Sequence, residues 1–333
     1  MCFALPKSFA GGYRDLVPAL AGMEIGMYTR REFGQLTLGG LAAPLLGSPA
    51  DVRVGGVRLG VQTYSFRDLP RPENGDAIDG IIAAMTDCGL SECELFAPQV
   101  EPRGAASGRR ADTPEAQQAR QQARQDLRSW RIQTPLDHFR TVKKKFEAAG
   151  ISVYAYNYSF GRDMSDEEID RGFEMTKALG ARIITASTTL TVARRVVPFA
   201  EKHRMIVAMH GHSSRTDPDE FCTPESFAAA MKLSKYFKVN LDIGHFTAAD
   251  FDAVAYIRQH HADITNLHLK DRKRHEGDNV PWGQGDTPIR EVLLLLKQSK
   301  WPIRAYIEYE YSGTGTSTEE VTKCFQYAKQ ILA

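Results

Sequence analysis

The sequence predicts one (β/α)₈ barrel, an α/β fold in which eight parallel strands alternate with helices. Eight short β-like runs follow one another from residue 57 onward, and helical patterns separate them. No glycine-rich phosphate-binding turn follows the first run, although an open doubly wound sheet usually carries one there. The length of 333 residues also suits a single barrel. We therefore expect one barrel domain over residues 51–333.

The predicted elements alternate in a regular order. The strands are short runs rich in apolar residues, at residues 57–63, 91–96, 152–158, 182–186, 205–210, 238–242, 264–269 and 303–309. Helical patterns lie between them, at residues 75–88, 135–149, 166–179, 223–233, 248–260, 287–298 and 317–332. Ser165 precedes one helix as an N-cap, and Gly89, Gly150 and Gly180 follow three helices as C-terminal caps.

A long insertion, residues 101–134, separates the second strand from its helix. It contains seven arginines, at positions 103, 109, 110, 120, 124, 128 and 131. One interpretation is a solvated helix with a loop, and the other is a lid that supplies an arginine to an anionic substrate. Trp130 is its only aromatic residue, so the interleaved aromatics typical of single-stranded nucleic-acid binding are absent.

The first 50 residues are typical of a targeting signal rather than of a folded domain. Arg30 and Arg31 form a twin arginine, residues 36–46 are mildly apolar, and the sequence Ser48-Pro49-Ala50 suits a signal-peptidase site. This order resembles a twin-arginine export signal that is removed near Ala50. We expect export to the periplasm or the exterior, and Met27 is a second candidate for the true start.

The composition excludes several classes of protein. There are 42 basic and 41 acidic residues, a formal charge of +1, which argues against affinity for nucleic acid through phosphate contacts. No apolar run reaches the roughly 18 residues of a membrane span. The body cysteines have no regular spacing, so we expect neither a zinc knuckle nor a disulfide framework; they are Cys88, Cys93, Cys222 and Cys324.

Polar side chains end each of the last four predicted strands, where a barrel carries its chemistry. Buried imidazoles and carboxylates are costly together unless a cation or mutual hydrogen bonds satisfy them. We therefore expect one divalent metal, and the mixed nitrogen and oxygen donors favour Mn²⁺, Co²⁺, Zn²⁺ or Fe²⁺ over Ca²⁺. The predicted ligands are His210, Asp242, His268 and Glu308.

Four motifs resemble the xylose isomerase-like barrel superfamily, the group of sugar phosphate isomerases and epimerases, over about residues 57–332. They are LGVQTYS at 59–65, LDIGH at 241–245, LHLKD at 267–271 and VPWGQGD at 280–286. The resemblance implies a divalent metal held by Glu, Asp, His and Glu from strands five to eight. Asp242, His268 and Glu308 fit the last three ligands, whereas His210 stands where the sugar epimerases carry Glu.

The missing glutamate bears on the chemistry that the resemblance implies. Related ketose epimerases exchange a proton between two glutamates, and only Glu308 is present here. Proton transfer on one face, or elimination beside a carbonyl, stays open. In either, the metal would stabilise an enediolate. Glu308, His212 or Lys270 is the candidate acid or base, and an ion pair with Asp271 is the alternative role of Lys270.

Six further residues are predicted to form the substrate site. Tyr64 and Phe66, with Phe96, would form an apolar wall, and Glu94 would bind a hydroxyl group. His245 would lie on the loop after strand six. Trp282 would cover the site or stack on a sugar, the alternative being a structural loop with a packed tryptophan.

The favoured function is a metal-dependent isomerase or epimerase acting on an unphosphorylated sugar, since export makes a phosphorylated substrate scarce. The second hypothesis is a lyase or hydrolase of 3-keto-glycosides. A sugar-binding barrel without catalysis is a third. A nuclease like the abasic-site endonuclease relatives of this superfamily is opposed by the neutral charge and the export signal. The partner is thus a small carbohydrate, and the sequence is compatible with a homo-oligomer.

Overall fold

The computed structural model describes residues 53–72, 76–102 and 113–333. The predicted extension and export signal at residues 1–50 and three arginines of the insertion, at positions 103, 109 and 110, lie outside the described residues. Within the described ranges, no helix is long and apolar enough to cross a membrane.

Eight parallel strands close into a barrel, which confirms the predicted fold class. They are β1 (Val57–Gln62), β2 (Glu92–Phe96), β3 (Ser152–Asn157), β4 (Ile183–Ser187), β5 (Ile206–His210), β6 (Phe237–Asp242), β7 (Ile264–Leu269) and β8 (Arg304–Ile307). Each strand pairs with the next, and β1 pairs with β8 in the register Leu59↔Ala305. A two-residue strand, Arg53–Val54, pairs antiparallel with the start of β1.

Ten helices are described around this barrel. They are α1 (Ile78–Cys88), α2 (Pro114–Gln133), α3 (Leu136–Ala148), α4 (Asp166–Ala178), α5 (Leu190–His203), α6 (Pro224–Met231), α7 (Ile243–Ala248), α8 (Ala253–His260), α9 (Ile289–Ser299) and α10 (Ser317–Leu332). Helices cover the strands from outside, so most strand residues are buried on both faces. This burial explains why the strands read as apolar runs.

Two helical features differ from the prediction. The pattern at residues 248–260 is two helices, because Asp242 caps α7 and Asp252 caps α8, while Asp250 between them has a φ of 69°. Helix α5 was not predicted, and it contains Pro198, a residue that usually argues against a helix interior. The predicted caps are present: Ser165 forms a capping box with Glu168.

The described arginines of the insertion hold α2 against the barrel. Arg131 donates two hydrogen bonds to Glu101, at 2.7 and 2.9 Å. Arg124 and Arg128 both contact the buried carboxylate of Glu168 at 2.8 Å. A buried carboxylate needs such partners. The lid interpretation is therefore wrong for these three arginines, which stabilise the fold.

The four described cysteines are buried and free, and Cys88 and Cys93 were predicted to be buried. Burial raises the pKa of Cys93 and of Cys324. These thiols are therefore protonated, apolar packing groups rather than nucleophiles or metal ligands.

Replacement of Glu168 by Gln should destabilise the fold at neutral pH and much less in acid. Burial alone would raise the pKa of Glu168, but hydrogen bonds from Arg124 and Arg128 lower it to about 2. The carboxylate thus stabilises the folded state above its ordinary pKa of 4.5, and this contribution is lost as the pH falls toward 2. We expect a loss of about 2–3 kcal/mol in unfolding free energy near neutral pH.

Urea unfolding at neutral pH and at about pH 3 measures this difference. The matched control is Glu167→Gln, which removes an exposed acid from the same helical turn and should change stability by less than about 1 kcal/mol. Equal losses in the two variants, or the same loss at both pH values, would contradict the ion-pair origin.

Candidate active site

A cavity of about 310 Å³ opens at the carboxyl ends of the barrel strands. Its walls come from all eight strands or the segments directly after them. The residues that line it are Gln62, Tyr64, Phe96, Asn157, Ser159, Ser187, His210, His212, His245, His268, Lys270, Glu308 and Glu310. The strand-end reasoning therefore located the cavity, although it took no candidates from β3 and β4.

Four side chains at the strand ends form a cluster of metal-binding type. Three of them line the cavity, and the fourth, Asp242, lies beside them. His210, Asp242 and His268 are all buried, and each offers one ligand atom within 4.8 Å of the others. Glu308 joins them, with its Oε2 atom 3.2 Å from Nδ1 of His268. Three buried atoms of the cluster make no hydrogen bond of good geometry: Asp242 Oδ2, His268 Nδ1 and Glu308 Oε2. They lie among charged groups, since Asp242 Oδ2 and Glu308 Oε2 contact the Lys270 ammonium and His268 Nδ1 faces Glu308 Oε2. Donor atoms that converge in this way fit a bound cation.

Hydrogen bonds on the side away from the cluster fix which ring nitrogen of His210 and of His268 points toward it. Nδ1 of His210 lies 2.8 Å from Oδ1 of Asn240, and Nε2 of His268 lies 3.0 Å from Oε2 of Glu94. Because both partners are acceptors, these nitrogens carry the protons. Nε2 of His210 keeps its electron pair, as a metal ligand must. Nδ1 of His268 faces Glu308 Oε2 at 3.2 Å. Burial lowers the pKa of His268, but Glu94 and Glu308 raise it well above its ordinary value, so a metal would take the place of the proton on Nδ1.

Glu94 is fully buried beneath the cavity. Its carboxylate accepts hydrogen bonds from Gln62 at 3.3 Å, Asn157 at 3.1 Å, Asn266 at 2.8 Å and His268 at 3.0 Å. These four donors occupy the lone pairs of both oxygens. The prediction that Glu94 binds a substrate hydroxyl is therefore corrected: Glu94 orients His268.

Lys270 is a buried cation inside the same cluster. Its ammonium lies 3.0 Å from Asp242 Oδ2, 2.9 Å from Glu308 Oε2 and 2.5 Å from Glu310 Oε2. Burial alone would lower the pKa of Lys270, but these carboxylates raise it well above its ordinary value. Lys270 is therefore an ammonium, which can donate a proton but cannot accept one.

Asp271 does not pair with Lys270, so that alternative is wrong. Its carboxylate instead accepts the backbone N–H groups of Gly283, Gly285 and Thr287. Adjacent strand residues point in opposite directions, which separates the two side chains. Asp271 thus shapes the loop after β7.

The charges of the cluster are incompletely balanced. Burial raises the pKa of Asp242 to about 7; Lys270 opposes this rise and Glu308 adds to it. Burial would also raise the pKa of Glu308, but Lys270 and His268 lower it well below its ordinary value. A carboxyl group that resists ionisation beside an ammonium indicates a shortage of positive charge, which a divalent cation would supply.

His212 and His245 lie beside the metal-binding cluster. Their ring centroids are 5.3 Å apart, and that of His212 is 5.1 Å from His210. Nδ1 of His245 accepts a hydrogen bond from Arg272 at 2.6 Å. Burial and the charge of Lys270 lower the pKa of both His212 and His245, so both are neutral.

The predicted aromatic contacts divide into two groups. Tyr64 and Phe96 line the cavity and pack edge to face, with ring centroids 5.1 Å apart. Phe66 is only 1% exposed and belongs to the core, and Trp282 lines a separate surface pocket where it packs against Tyr327. The predictions for Phe66 and Trp282 as substrate contacts are therefore corrected.

Several lining residues were not predicted from the sequence. Asn157 and Ser187 are the last residues of β3 and β4, so the same strand-end argument would have found them. Gln62 ends β1, and Glu310 follows β8 by three residues. Arg272 had no recognisable signal, because its contact with His245 depends on the fold of the loop after β7.

A closed barrel with buried imidazole and carboxylate donors at the strand ends defines a class of metal-site barrels. The chain belongs to the xylose isomerase-like TIM barrel family, and the match covers residues 82–328. No curated protein matches the chain.

Solved structures of low sequence identity share the fold. A sugar phosphate isomerase/epimerase from Parabacteroides distasonis ATCC 8503 has 15% identity and a TM-score of 0.54, over 83% of this chain and 95% of that one. The probable 3-DHS dehydratase AsbF from Bacillus anthracis has 13% identity and a TM-score of 0.55, over 80% and 98%. The IOLI protein with a bound zinc atom has 14% identity and a TM-score of 0.56, over 82% and 97%.

Loss of either imidazole should remove the metal. We expect His210→Ala and His268→Ala to retain far less zinc than the parent chain after dialysis, measured as metal per folded protein, because each removes a donor that nothing adjacent replaces. Full zinc stoichiometry in both variants would place the metal elsewhere.

Replacement of Glu94 by Gln should weaken zinc binding by about 10–100-fold, since it removes the charge that orients His268. Titration calorimetry of the metal-free chain measures the affinity. The control is Glu92→Gln on the same strand, because Glu92 contacts Arg58, Arg304 and Tyr306 rather than the cluster. An unchanged affinity in Glu94→Gln, or an equal loss in both variants, would contradict this role.

Proposed function

We propose that the protein is a metal-dependent isomerase or epimerase that acts on an unphosphorylated sugar or a sugar derivative. The observation that carries the proposal is the buried donor cluster, in which His210, Asp242 and His268 offer ligand atoms within 4.8 Å of one another and Glu308 lies beside them. The cluster lies at a cavity that also offers hydroxyl and amide groups. The family and the isomerase/epimerase among the solved relatives support this class of reaction.

His210, Asp242, His268 and Glu308 would hold one metal ion, of Mn²⁺, Co²⁺, Zn²⁺ or Fe²⁺. When bound, the ion would polarise a substrate carbonyl group and stabilise the enediolate that forms when the neighbouring carbon loses a proton. The zinc atom bound by the IOLI protein, which shares this fold, supports a divalent metal.

The chain's own residues bind and orient the sugar. The amides of Gln62 and Asn157 and the hydroxyls of Ser159 and Ser187 line one side of the cavity and suit sugar hydroxyl groups. Tyr64, beside Phe96, offers an apolar face with a phenol group. Aromatic side chains with a few convergent polar groups are typical of small-molecule sites.

Lys270, Glu308 and His212 would divide the proton transfers. Lys270 is an ammonium and would donate a hydrogen bond or a proton to a substrate oxygen on which negative charge develops. The low pKa of Glu308 makes it a carboxylate that can hold a cation. His212 is neutral and lines the cavity, so it is the candidate base.

The charge of the cavity favours an unphosphorylated substrate. Lys270 is the one Lys or Arg among the described residues that line it, and three carboxylates already neutralise it. A phosphate group normally requires Arg, Lys or a ring of backbone N–H groups. The export signal, which stays a prediction, points the same way, since we propose that residues 1–50 direct the chain to the periplasm or the exterior.

The second candidate is a lyase or hydrolase of 3-keto-glycosides. The resemblance to two-glutamate epimerases places His210 where those enzymes carry one of their glutamates. This difference favours a reaction with one proton abstraction followed by loss of a leaving group. The cavity residues are the same in both reactions. The two candidate reactions differ only in what happens to the enediolate: it takes up a proton in the isomerase or epimerase, and it expels a leaving group in the lyase or hydrolase.

Proton NMR in D₂O distinguishes the candidates. The zinc-loaded chain would be incubated with ketohexoses and with 3-keto-glycosides, with chelator-treated protein as the control. We expect deuterium beside the carbonyl group and a new isomer, without a released aglycone. Release of the aglycone would move the protein to the lyase or hydrolase class.

The variant Glu308→Gln should bind sugar but lose nearly all turnover, a fall of about 100-fold or more, because it removes a ligand and a charge from the reacting centre. Sugar binding by the parent chain without exchange or turnover would overturn the proposal and indicate a binding protein. Undiminished turnover in Glu308→Gln would exclude this residue from catalysis.

A further inference from the structure

An acidic residue that is not among the cavity-lining residues lies directly against His212. Nδ1 of His212 is 3.0 Å from Oε1 of Glu220. The imidazole lines the cavity with His210 and His245, whereas Glu220 stands behind the ring and is 17% exposed in its side chain. Both members of the pair lie in one loop, between β5 and α6, and they are eight positions apart in the sequence.

Main-chain contacts hold this loop in place independently of the pair. The backbone N–H of His212 donates to Phe221 at 2.8 Å, and Glu220 forms a β-bridge with Thr189. The neighbouring Asp219 accepts hydrogen bonds from the backbone N–H and the hydroxyl of Thr191, both at 2.8 Å. The carboxylate of Glu220 is thus presented to the ring by fixed backbone at both ends of the loop.

The chemistry of imidazole gives this contact a consequence. A neutral histidine has one nitrogen that donates and one that accepts. A carboxylate accepts only, so it retains the proton on the nitrogen that faces it. Glu220 therefore selects the form of His212 with the proton on Nδ1, and the electron pair is left on Nε2. Within the described part of the chain, no side chain hydrogen-bonds to that Nε2 atom.

We infer that Glu220 is a positioning residue that orients His212 as the acid/base group of the reaction, an inference that rests on the proposed function. His212 would then be the proton acceptor in place of the second glutamate, which this chain lacks. The alternative, a base supplied by Lys270, is excluded because three carboxylates contact that ammonium.

The proton step is balanced within the site and the substrate. The bond between the proton and the carbon next to the carbonyl breaks, and a new N–H bond forms at Nε2 of His212. The electron pair of the broken bond becomes a carbon–carbon double bond, and the carbonyl oxygen takes the negative charge. Glu220 faces the resulting imidazolium and stabilises it, as a carboxylate behind a catalytic histidine does. Return of the proton to carbon completes the exchange.

The tautomer of His212 can be measured without any substrate. Long-range ¹H–¹⁵N spectra of the full-length chain, labelled at its histidines, separate ring nitrogens that carry protons from those that do not, and His212→Gln assigns the signal. We expect a proton on Nδ1 of His212 in the parent chain and in Glu220→Gln, whose amide oxygen can still accept. In Glu220→Leu the proton should move to Nε2. Protonated Nε2 in the parent, or the same form in all three chains, would overturn the inference.

Kinetics on a sugar that the NMR assay shows to be a substrate provide the second readout. Glu220→Leu should lower kcat by about 100-fold with KM changed by less than about threefold, and Glu220→Gln should lower kcat by less than about tenfold. The matched control is Glu276→Gln, since Glu276 is an exposed acid close enough to raise the pKa of Glu220 and should leave turnover unchanged. Equal effects of the Leu and Gln variants would overturn the orienting role.

The two proposals fail separately. If the parent chain exchanges no proton on any sugar, the proposed function fails, while the spectra still decide whether Glu220 sets the tautomer of His212. If the parent chain is active but Glu220→Leu keeps both its rate and its tautomer, the inference about Glu220 fails and the proposed function stands.

Discussion

The buried carboxylate of Glu94 is the interaction on which the rest of the site depends. Its hydrogen-bond donors come from β1, β3 and β7, so one side chain on β2 connects strands from across the barrel. A buried charge without partners would be unfavourable by several kcal/mol. The need to satisfy Glu94 therefore fixes Gln62, Asn157 and His268 together, and through His268 it sets the geometry of the metal-binding cluster.

Charge balance organises the layer above Glu94. Asp242, Glu308 and Glu310 surround Lys270, and none of these charges has bulk water as its main partner. One ammonium cannot compensate three carboxylates, so a protonated His268 or a bound divalent cation would complete the charge balance of this layer. The neighbouring imidazoles of His212 and His245 are kept neutral by the same surroundings. Neutral imidazoles and a protonated lysine together give the cavity separate groups that accept and donate protons at the same pH.

The fold and the direction of the site could be predicted from the sequence because both follow from local patterns. Strand ends meet at one face of a barrel, so reading the last residues of each strand found His210, Asp242, His268 and Glu308. The depth at which a side chain lies along the barrel axis could not be predicted in this way. Glu94 shares a face with Phe96, but it lies one layer deeper, where its partners come from strands distant in sequence.

Side-chain contacts that depend on the course of a loop or on strand register could not be predicted from the sequence. The contacts of Lys270 with Glu308 and Glu310 require the register of β7 against β8, which no single motif encodes. Trp282 belongs to a loop whose course is set by Asp271, and that course takes the indole away from the cavity. Helix α5 escaped detection because Pro198 breaks the pattern that a helix interior normally shows.

The two oxygens of Asp242 have separate tasks. Oδ1 accepts the backbone N–H of His245 at 2.8 Å and so begins α7, while Oδ2 faces the metal-binding cluster. Asparagine caps helices as well as aspartate does, but it brings no charge to a metal. A change from Asp to Asn here would preserve the architecture and remove the chemistry. If the proposed function holds, the evolutionary distance between a catalyst and a sugar receptor on this scaffold is therefore as short as one amino acid.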